Sequence, residues 1–275
     1  MIHKNKVKIR LRGGLGNQLF QISAAVDLAN ACGIAIKIVT RDLEESANQS
    51  RGNFLRELQL ETIFNRADLK SSFSSESYLV NRLHHKFDHL FRRPAIDTSE
   101  KLSEAIFNQI PAQYNLEGFF QDIEFVQRVI QRNPLVSLVT VRPEVAEISR
   151  LVESTKNITL HIRLGDFLDN KFDILTSDYF FSAITEFQSR SSMKNSKIVV
   201  FSDDIAGAHL MLNGMKDIYF PEKISALSPP ELLYVLSRSR NFVISKSTLA
   251  WWSGYIGYLN GSRIWSPWPN QFDIY

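Results

Sequence analysis

Hydrophobic and polar positions change their period repeatedly along the 275 residues, and the changes fall in an ordered way. "VKIRLR", Val7 to Arg12, alternates apolar with basic residues, the period-two pattern of a strand. The next apolar positions, Leu19, Ile22, Val26 and Ala29, recur at helical spacing, and Gly33 follows as the residue type that closes helices in the left-handed conformation. "IAIKIVT" then reads as a buried strand. A strand, a helix and a second strand in this succession make a β-α-β unit, so a parallel sheet is expected from the N-terminal part of the chain. From Arg41 to Asn115 the pattern reads as helical, and "RLHHKFDHLFRR" sets Leu83, Phe87, Leu90 and Phe91 on one face.

A second alternating series starts near Asn157. Strand "ITLHI" leads to helix "SDYFFSAITEFQSR", strand "KIVVFSDD", a short helix near "AGAHLML", strand "DIYF" and helix "SPPELLYVLSRS". In the last of these, Ser228 at the cap, Pro229 at the first helical position and Glu231 two further on spell a capping box. Strand "NFVIS" and helix "STLAWWSGYIGY" complete the series. The expectation is an α/β protein of two halves, 1–150 and 151–275, with Pro143 opening a short helix that crosses between them. Open parallel sheets hold ligands at the carboxyl ends of their strands. Those ends carry Gly13 to Gln18, Arg163 to Asp166, Ser202 to Asp204 and Ser245 to Thr248, which a cleft between the halves is expected to bring together.

Composition narrows the class. With 44% apolar residues the chain can fill a core, and its longest apolar runs stop far short of the roughly 20 residues that cross a bilayer. With no apolar segment at its start and one cysteine, Cys32, the protein is expected to be soluble and cytoplasmic, without an internal disulfide. A net charge of +3 is too small to demand nucleic acid but suits anionic ligands such as nucleotide sugars or lipid diphosphates. Arg82, Lys86, Arg92 and Arg93 read either as a peripheral contact with an anionic membrane or as a solvated helix face. His85 and His89 stand at i, i+4, but no third ligand is near, so no metal is expected. An Asp-x-Asp pair, used by glycosyltransferases that carry their nucleotide sugar on a metal, is absent from the sequence.

The strand ends supply the candidate chemistry. Gly14-Leu15-Gly16 after a strand fits either a plain tight turn or a turn that lets backbone approach a pyrophosphate, and Asn17 and Gln18 add amides able to pair with sugar hydroxyls. In "HIRLGDF", Arg163 offers a planar fork for phosphate oxygens; the alternative is an ion pair with Asp166, leaving His161 as a satisfied core histidine. Asp203 and Asp204 either read guanine or ribose or cap the following helix. Ser245, Ser247 and Thr248 bring hydroxyls to a helix start, Lys246 adds a charge there or is merely solvated, and Trp251 and Trp252 read as packing beneath.

Taken in order, "GGLGNQ", "GFFQ" (Gly118 to Gln121), "HIRLGD", "FSDD" and "STLAWW" resemble the bacterial α-1,2-fucosyltransferases that use GDP-fucose, and they span the chain from Gly13 to Trp252. The resemblance implies a GT-B-like pair of Rossmann-type domains facing a central cleft. It implies inverting transfer of L-fucose from GDP-β-L-fucose to a sugar hydroxyl, typically O2 of galactose on an oligosaccharide, with no metal and no further cofactor. Carried over by motif, Arg163 grips the diphosphate, His161 lies near the nucleotide, and Asp203 or Asp204 reads guanine or ribose. Ser247 and Thr248 meet the phosphates, while Gly14, Gly16, Asn17 and Gln18 face the transferred sugar and acceptor. Leu164 stands where many members have a second arginine, and Lys246 where they have asparagine, so Lys246 is expected to replace the missing cation. Asp166, Glu117 and His161 all remain open as a general base.

Overall fold

The computed structural model describes residues 6–40, 43, 54–74, 95–108, 114–130, 133–165 and 175–268. The chain divides into two compact units, Met1–Gln131 and Arg132–Tyr275, earlier than the 150/151 division expected from the sequence. The helix opened by Pro143 explains the difference. Its cap residue Arg142 grips Glu231 with a two-pronged ion pair, Nε to Oε1 at 2.6 Å and Nη2 to Oε2 at 2.7 Å. The same helix buries Val145, Ile148 and Val152 while packing on elements of the second unit. It is therefore part of that unit and not a crossover.

In the first unit, β1 (Lys6–Arg10), α1 (Leu15–Cys32) and β2 (Ala35–Val39) form the β-α-β unit that the periodicity predicts. Gly33 ends α1 at φ 62°, returning its N–H to the carbonyls of Ala29 and Asn30. The helical reading of Arg41 to Asn115 is corrected. Although α2 (Leu60–Phe64) and α3 (Ser99–Asn108) are helices, β3 (Phe73–Ser74), β4 (Ala95–Ile96) and β5 (Tyr114–Leu116) are strands. Two or three residues are too few for a period to register, and what makes them strands is pairing with neighbours distant in sequence. The sheet order is β3-β2-β1-β5-β4, with every described pairing parallel. The segment "RLHHKFDHLFRR", with His85, His89 and its basic residues, lies outside the described residues. Beyond β5, Asp122 caps α4 (Ile123–Val129), and Arg128 ties that helix to Asp27 of α1 at 2.9 Å.

The second unit runs α5 (Pro143–Val152), β6 (Asn157–Ile162), α6 (Ser177–Gln188), β7 (Lys197–Ser202), α7 (Ile205–Met211) and β8 (Ile218–Tyr219). It continues with α8 (Pro229–Leu236), β9 (Asn241–Val243), α9 (Thr248–Leu259) and β10 (Arg263–Trp265). The expected capping box opens α8, with Ser228 N–H donating to Glu231 Oε2 at 2.8 Å and Glu231 N–H to Ser228 Oγ at 3.4 Å. The parallel sheet has the order β10-β9-β6-β7-β8, and β6 is buried almost throughout, as a strand covered on both faces must be. Ile158, Leu160, Ile162 and, past the strand end, Leu164 all enter one apolar cluster with Phe180, Ile184 and Val200. Side chains alternate along a strand, so Thr159 and His161 face the other side. The central strand β6 lies between β9 and β7, which sets three carboxyl ends side by side.

Candidate active site

Register places the charged groups of the second unit. Ile162 of β6 pairs with Ser202 of β7, so the next residues, Arg163 and Asp203, leave the sheet as neighbours. Arg163 Nη1 lies 3.2 Å from Asp203 Oδ2, and Asp203 Oδ1 accepts the Leu164 N–H at 2.9 Å. Glycine at residue 165 leaves room for that carboxylate, since a Cβ there would sit 2.6 Å from Asp203 Oδ2. Arg163 is thus held by a carboxylate that is itself pinned to backbone, while its side chain stays 29% exposed. The effect of this half-buried pair is to fix the direction of the guanidinium. Asp204 has a different task, accepting the Gly207 N–H at 2.9 Å as the cap of α7.

On the other side of β6, His161 Nδ1 is 2.7 Å from Ser245 Oγ, and the ring is buried. Burial pushes the imidazole down to about 4, Arg163 pushes the same way, and Asp203 opposes both. At neutral pH the ring is uncharged, so it props the strand end beside Arg163 and carries no charge for a phosphate. Leu164, at the position where the resemblance anticipates an arginine, is seated in the apolar cluster. A cavity of about 10 Å³ brings Arg163, Leu164, Ser245 and Lys246 onto one lining.

Past Ser245 the chain turns sharply, Ser247 N–H donating to the Ser245 carbonyl at 2.8 Å, and α9 begins. The cap Ser247 makes no side-chain hydrogen bond to its helix, so the cap hydroxyl does not consume a first-turn N–H. Trp251 and Trp252 are buried and meet edge to face at 5.5 Å, the packing role read from the sequence.

In the first unit the β1-α1 turn is built from Gly13 at φ 75°, Gly14 as the cap of α1 and Gly16 buried within the helix. Gln18 is fully buried, and its Nε2 donates to the Gly13 carbonyl at 2.8 Å. Gln21, which the sequence reading did not single out, accepts from Arg12 N–H at 2.9 Å and donates to Arg12 O at 3.2 Å. Both amides fasten the turn. Asn17 faces outward, accepting from Gln121 Nε2 at 2.8 Å, and Arg12 stands 3.7 Å from Glu117. These contacts join the "GGLGNQ" and "GFFQ" motifs at the carboxyl ends of adjacent strands β1 and β5. A strand of three residues gave the sequence reading no means of seeing that adjacency. Asp166 lies outside the described residues. Among the described residues no three His, Cys, Asp or Glu gather as a metal site, and no helix is long and apolar enough to cross a membrane.

A glycine turn fastened by amides and a cation held at the edge of a second parallel sheet are shared by many nucleotide-binding proteins, so family membership rests on comparison. Residues 3–266 match the description of glycosyl transferase family 11. The chain belongs to that family. Among relatives, the family-11 chain is 24% identical to an Escherichia coli α-1,2-colitosyltransferase over 259 residues, covering 91% of this chain and 87% of the relative. It is 23% identical to the E. coli O-antigen biosynthesis glycosyltransferase WbnK over 287 residues, covering 94% and 92%. Among solved structures, NodZ α-1,6-fucosyltransferase soaked with GDP-fucose aligns at a TM-score of 0.51 and 17% identity, covering 95% of this chain and 94% of that one. POFUT1 in complex with GDP aligns at 0.54 and 12%, covering 98% and 99%. At these identities the likeness is one of fold, and the family-11 chain has the GT-B-like α/β architecture that its motifs imply.

Proposed function

We propose that this family-11 glycosyltransferase moves L-fucose from GDP-β-L-fucose to a hydroxyl of an oligosaccharide, O2 of a terminal galactose, with inversion. Protein groups, not a metal, neutralise the departing diphosphate. The observation that carries the reading is Arg163, partly exposed, aimed by Asp203 and backed by the His161-Ser245 pair. Its planar fork suits two phosphate oxygens, and Lys246, Ser247, Thr248 and the N-terminus of α9 supply further positive potential and donors. In this reading Asp203 orients Arg163, and Asp204 supports α7; neither carboxylate needs to touch guanine for the diphosphate to be bound.

The chemistry follows from the leaving group. A sugar without a C6 hydroxyl tolerates positive charge at its anomeric carbon better than an ordinary hexose, so cleavage of the bond to GDP runs ahead of attack. Stabilising the developing diphosphate charge then becomes the enzyme's main task. The acceptor oxygen attacks the opposite face and loses its proton late. His161 is a poor base for that proton, being buried and held far below its ordinary basicity. Glu117, half-exposed beside Arg12, is the better placed of the described candidates in solvent terms.

The name of one relative favours a second donor, GDP-colitose, whose sugar is fucose without its C3 hydroxyl. The O-antigen relative supports an acceptor from surface polysaccharide assembly, a lipid-linked oligosaccharide met at a membrane surface. The test is GDP release from GDP-fucose and GDP-colitose with β-galactosides, in the presence of a chelator. Chelator-resistant release that depends on both donor and galactoside is expected; release from UDP-sugars alone overturns the reading. A thermal shift adds a binding check, since a ligand at 100 times its Kd stabilises by about 2.7 kcal/mol.

A further inference from the structure

The "GFFQ" loop holds two consecutive aromatic rings in opposite environments: Phe120 is 4% exposed, whereas Phe119 is 48% exposed. The backbone enforces the contrast. Phe120 adopts φ 49°, a conformation that bulky residues rarely take, and its carbonyl receives the Asp122 N–H at 2.8 Å. Gly118 cannot carry a side chain, because a Cβ there would meet the Asp97 carbonyl at 2.8 Å and the Phe120 ring at 3.3 Å. One ring is anchored inward, and the other is turned out against the β1-α1 turn, where its Cε1 is 3.4 Å from the place a Gly13 Cβ would occupy. Strain of this kind persists only where surrounding structure determines it, and it gathers at ligand-holding positions.

What flanks the exposed ring is equally specific. The Asn17-Gln121 amide pair and the Arg12-Glu117 ion pair present planar hydrogen-bonding groups to solvent, with Arg12 and Glu117 side chains 45% and 42% exposed. An aromatic face offers a surface to the C–H side of a pyranose. Galactose, with its axial C4 hydroxyl, has one such side formed by C3, C4 and C5. Amide, guanidinium and carboxylate edges match its adjacent hydroxyls through paired donors and acceptors. We infer that Phe119, framed by Arg12, Asn17, Glu117 and Gln121, is a pyranoside-binding platform that seats the terminal galactose of the acceptor. The assignment of galactose as acceptor rests on the proposed function; the platform itself rests on the loop.

The experiment uses the full chain with methyl β-galactoside as probe, read by saturation-transfer difference NMR, alongside steady-state kinetics with a β-galactoside acceptor. Wild-type protein is expected to saturate the sugar's C3, C4 and C5 protons, and Phe119→Ala to lose that signal and raise acceptor KM by about tenfold, the equivalent of one stacking contact. Phe119→Trp should restore both, and GDP affinity by calorimetry should stay within about twofold in each variant, which also reports that they fold. A Phe119→Ala protein that keeps the signal and the acceptor KM overturns the platform, as does a wild type that gives no signal. A rise in donor KM in place of acceptor KM overturns it as well, because the ring then seats the transferred sugar. If the signal depends on Phe119 while no fucose is transferred, the platform stands and the donor reading fails.

Discussion

The two sets of strand ends spend their polar side chains in opposite ways. At the β1-α1 turn, Gln18 Nε2 and the Gln21 amide bond to the backbone of Gly13 and Arg12, so these side chains fasten the turn. Only its outward members, Arg12 and Asn17, are turned to solvent, and they meet Glu117 and Gln121 there. At the ends of β6, β7 and β9 the polar groups bond to one another across strands, Arg163 to Asp203 and His161 to Ser245. That arrangement leaves a part-exposed cation and a helix start whose cap hydroxyl is not engaged with its helix. The first kind of site offers shape and hydrogen bonding; the second offers charge. A neutral sugar hydroxyl is suited to the first kind, and a diphosphate that gains negative charge as it departs is suited to the second.

The sharpest way to break that contrast is Arg163→Ala. If the second unit's strand ends supply the charge, transfer should fall by about 100- to 1,000-fold in kcat, the scale of losing one preorganised donor to a developing negative charge. The protein should stay folded, since Asp203 keeps its bond to the Leu164 N–H and a quarter of its side chain in water when the guanidinium is removed; urea unfolding of the variant checks this. A folded variant with near wild-type turnover would falsify the assignment of charge stabilisation to this edge.

Acid stability tests the other support of the same edge. His161 titrates near 4 in the folded protein because of burial, against an ordinary 6.5 when the chain unfolds. Between those values the unfolded chain binds a proton that the folded one does not, so stability falls as pH drops through this window and is unaffected by the group above it. The effect reaches on the order of 3 kcal/mol by the lower limit, at about 1.4 kcal/mol per unit. Urea unfolding of wild type and His161→Gln from pH 7 to pH 4 reads it. The wild-type slope should be steeper, and parallel curves mean that the ring is not the buried, neutral prop described.

How much of this was legible in the residues depends on what each feature needs. Long periodic elements such as α1, and β6 with its apolar run, declare themselves locally, and so does the capping box at Ser228, because its partners are three residues apart. The strands β3, β4 and β5 do not, since their identity comes from pairing with strands far away in the chain. The site divides along the same line. Arg163 and the α9 start were readable as residue types at a strand end, but the pairing of Arg163 with Asp203 was not, because the two are neighbours in the sheet and 40 positions apart in the chain. Gln21 was missed because helical spacing hid it within α1, although its bonds reach back to the turn.

Gln18→Leu sharpens the first unit's side of the contrast. Removing the amide that holds Gly13 should cost about 1 to 3 kcal/mol of stability, with the Gly13 carbonyl losing its partner. GDP affinity, which belongs to the other unit in this account, should not change. Chemical denaturation and GDP calorimetry on the same variant read both quantities. Weakened GDP binding with stability intact would move Gln18 from fastening the turn to touching the ligand.

The smallest expected effect separates two explanations of one position. Leu164 occupies apolar core at the site where the resembling family carries a second arginine, and Lys246 lines the same small cavity as Arg163. If Lys246 supplies the charge that Leu164 does not, Lys246→Asn and Lys246→Ala should both weaken GDP binding by about three- to tenfold, the scale of one partly exposed charge near a diphosphate. Raising salt should narrow the difference from wild type, because screening acts on exposed charges first. Calorimetry at two ionic strengths measures both. Unchanged affinity in the two variants means that Arg163 and the start of α9 carry the diphosphate unaided. The charge at 246 would then be a solvated strand end, and the matched gain and loss at 246 and 164 would be coincidence.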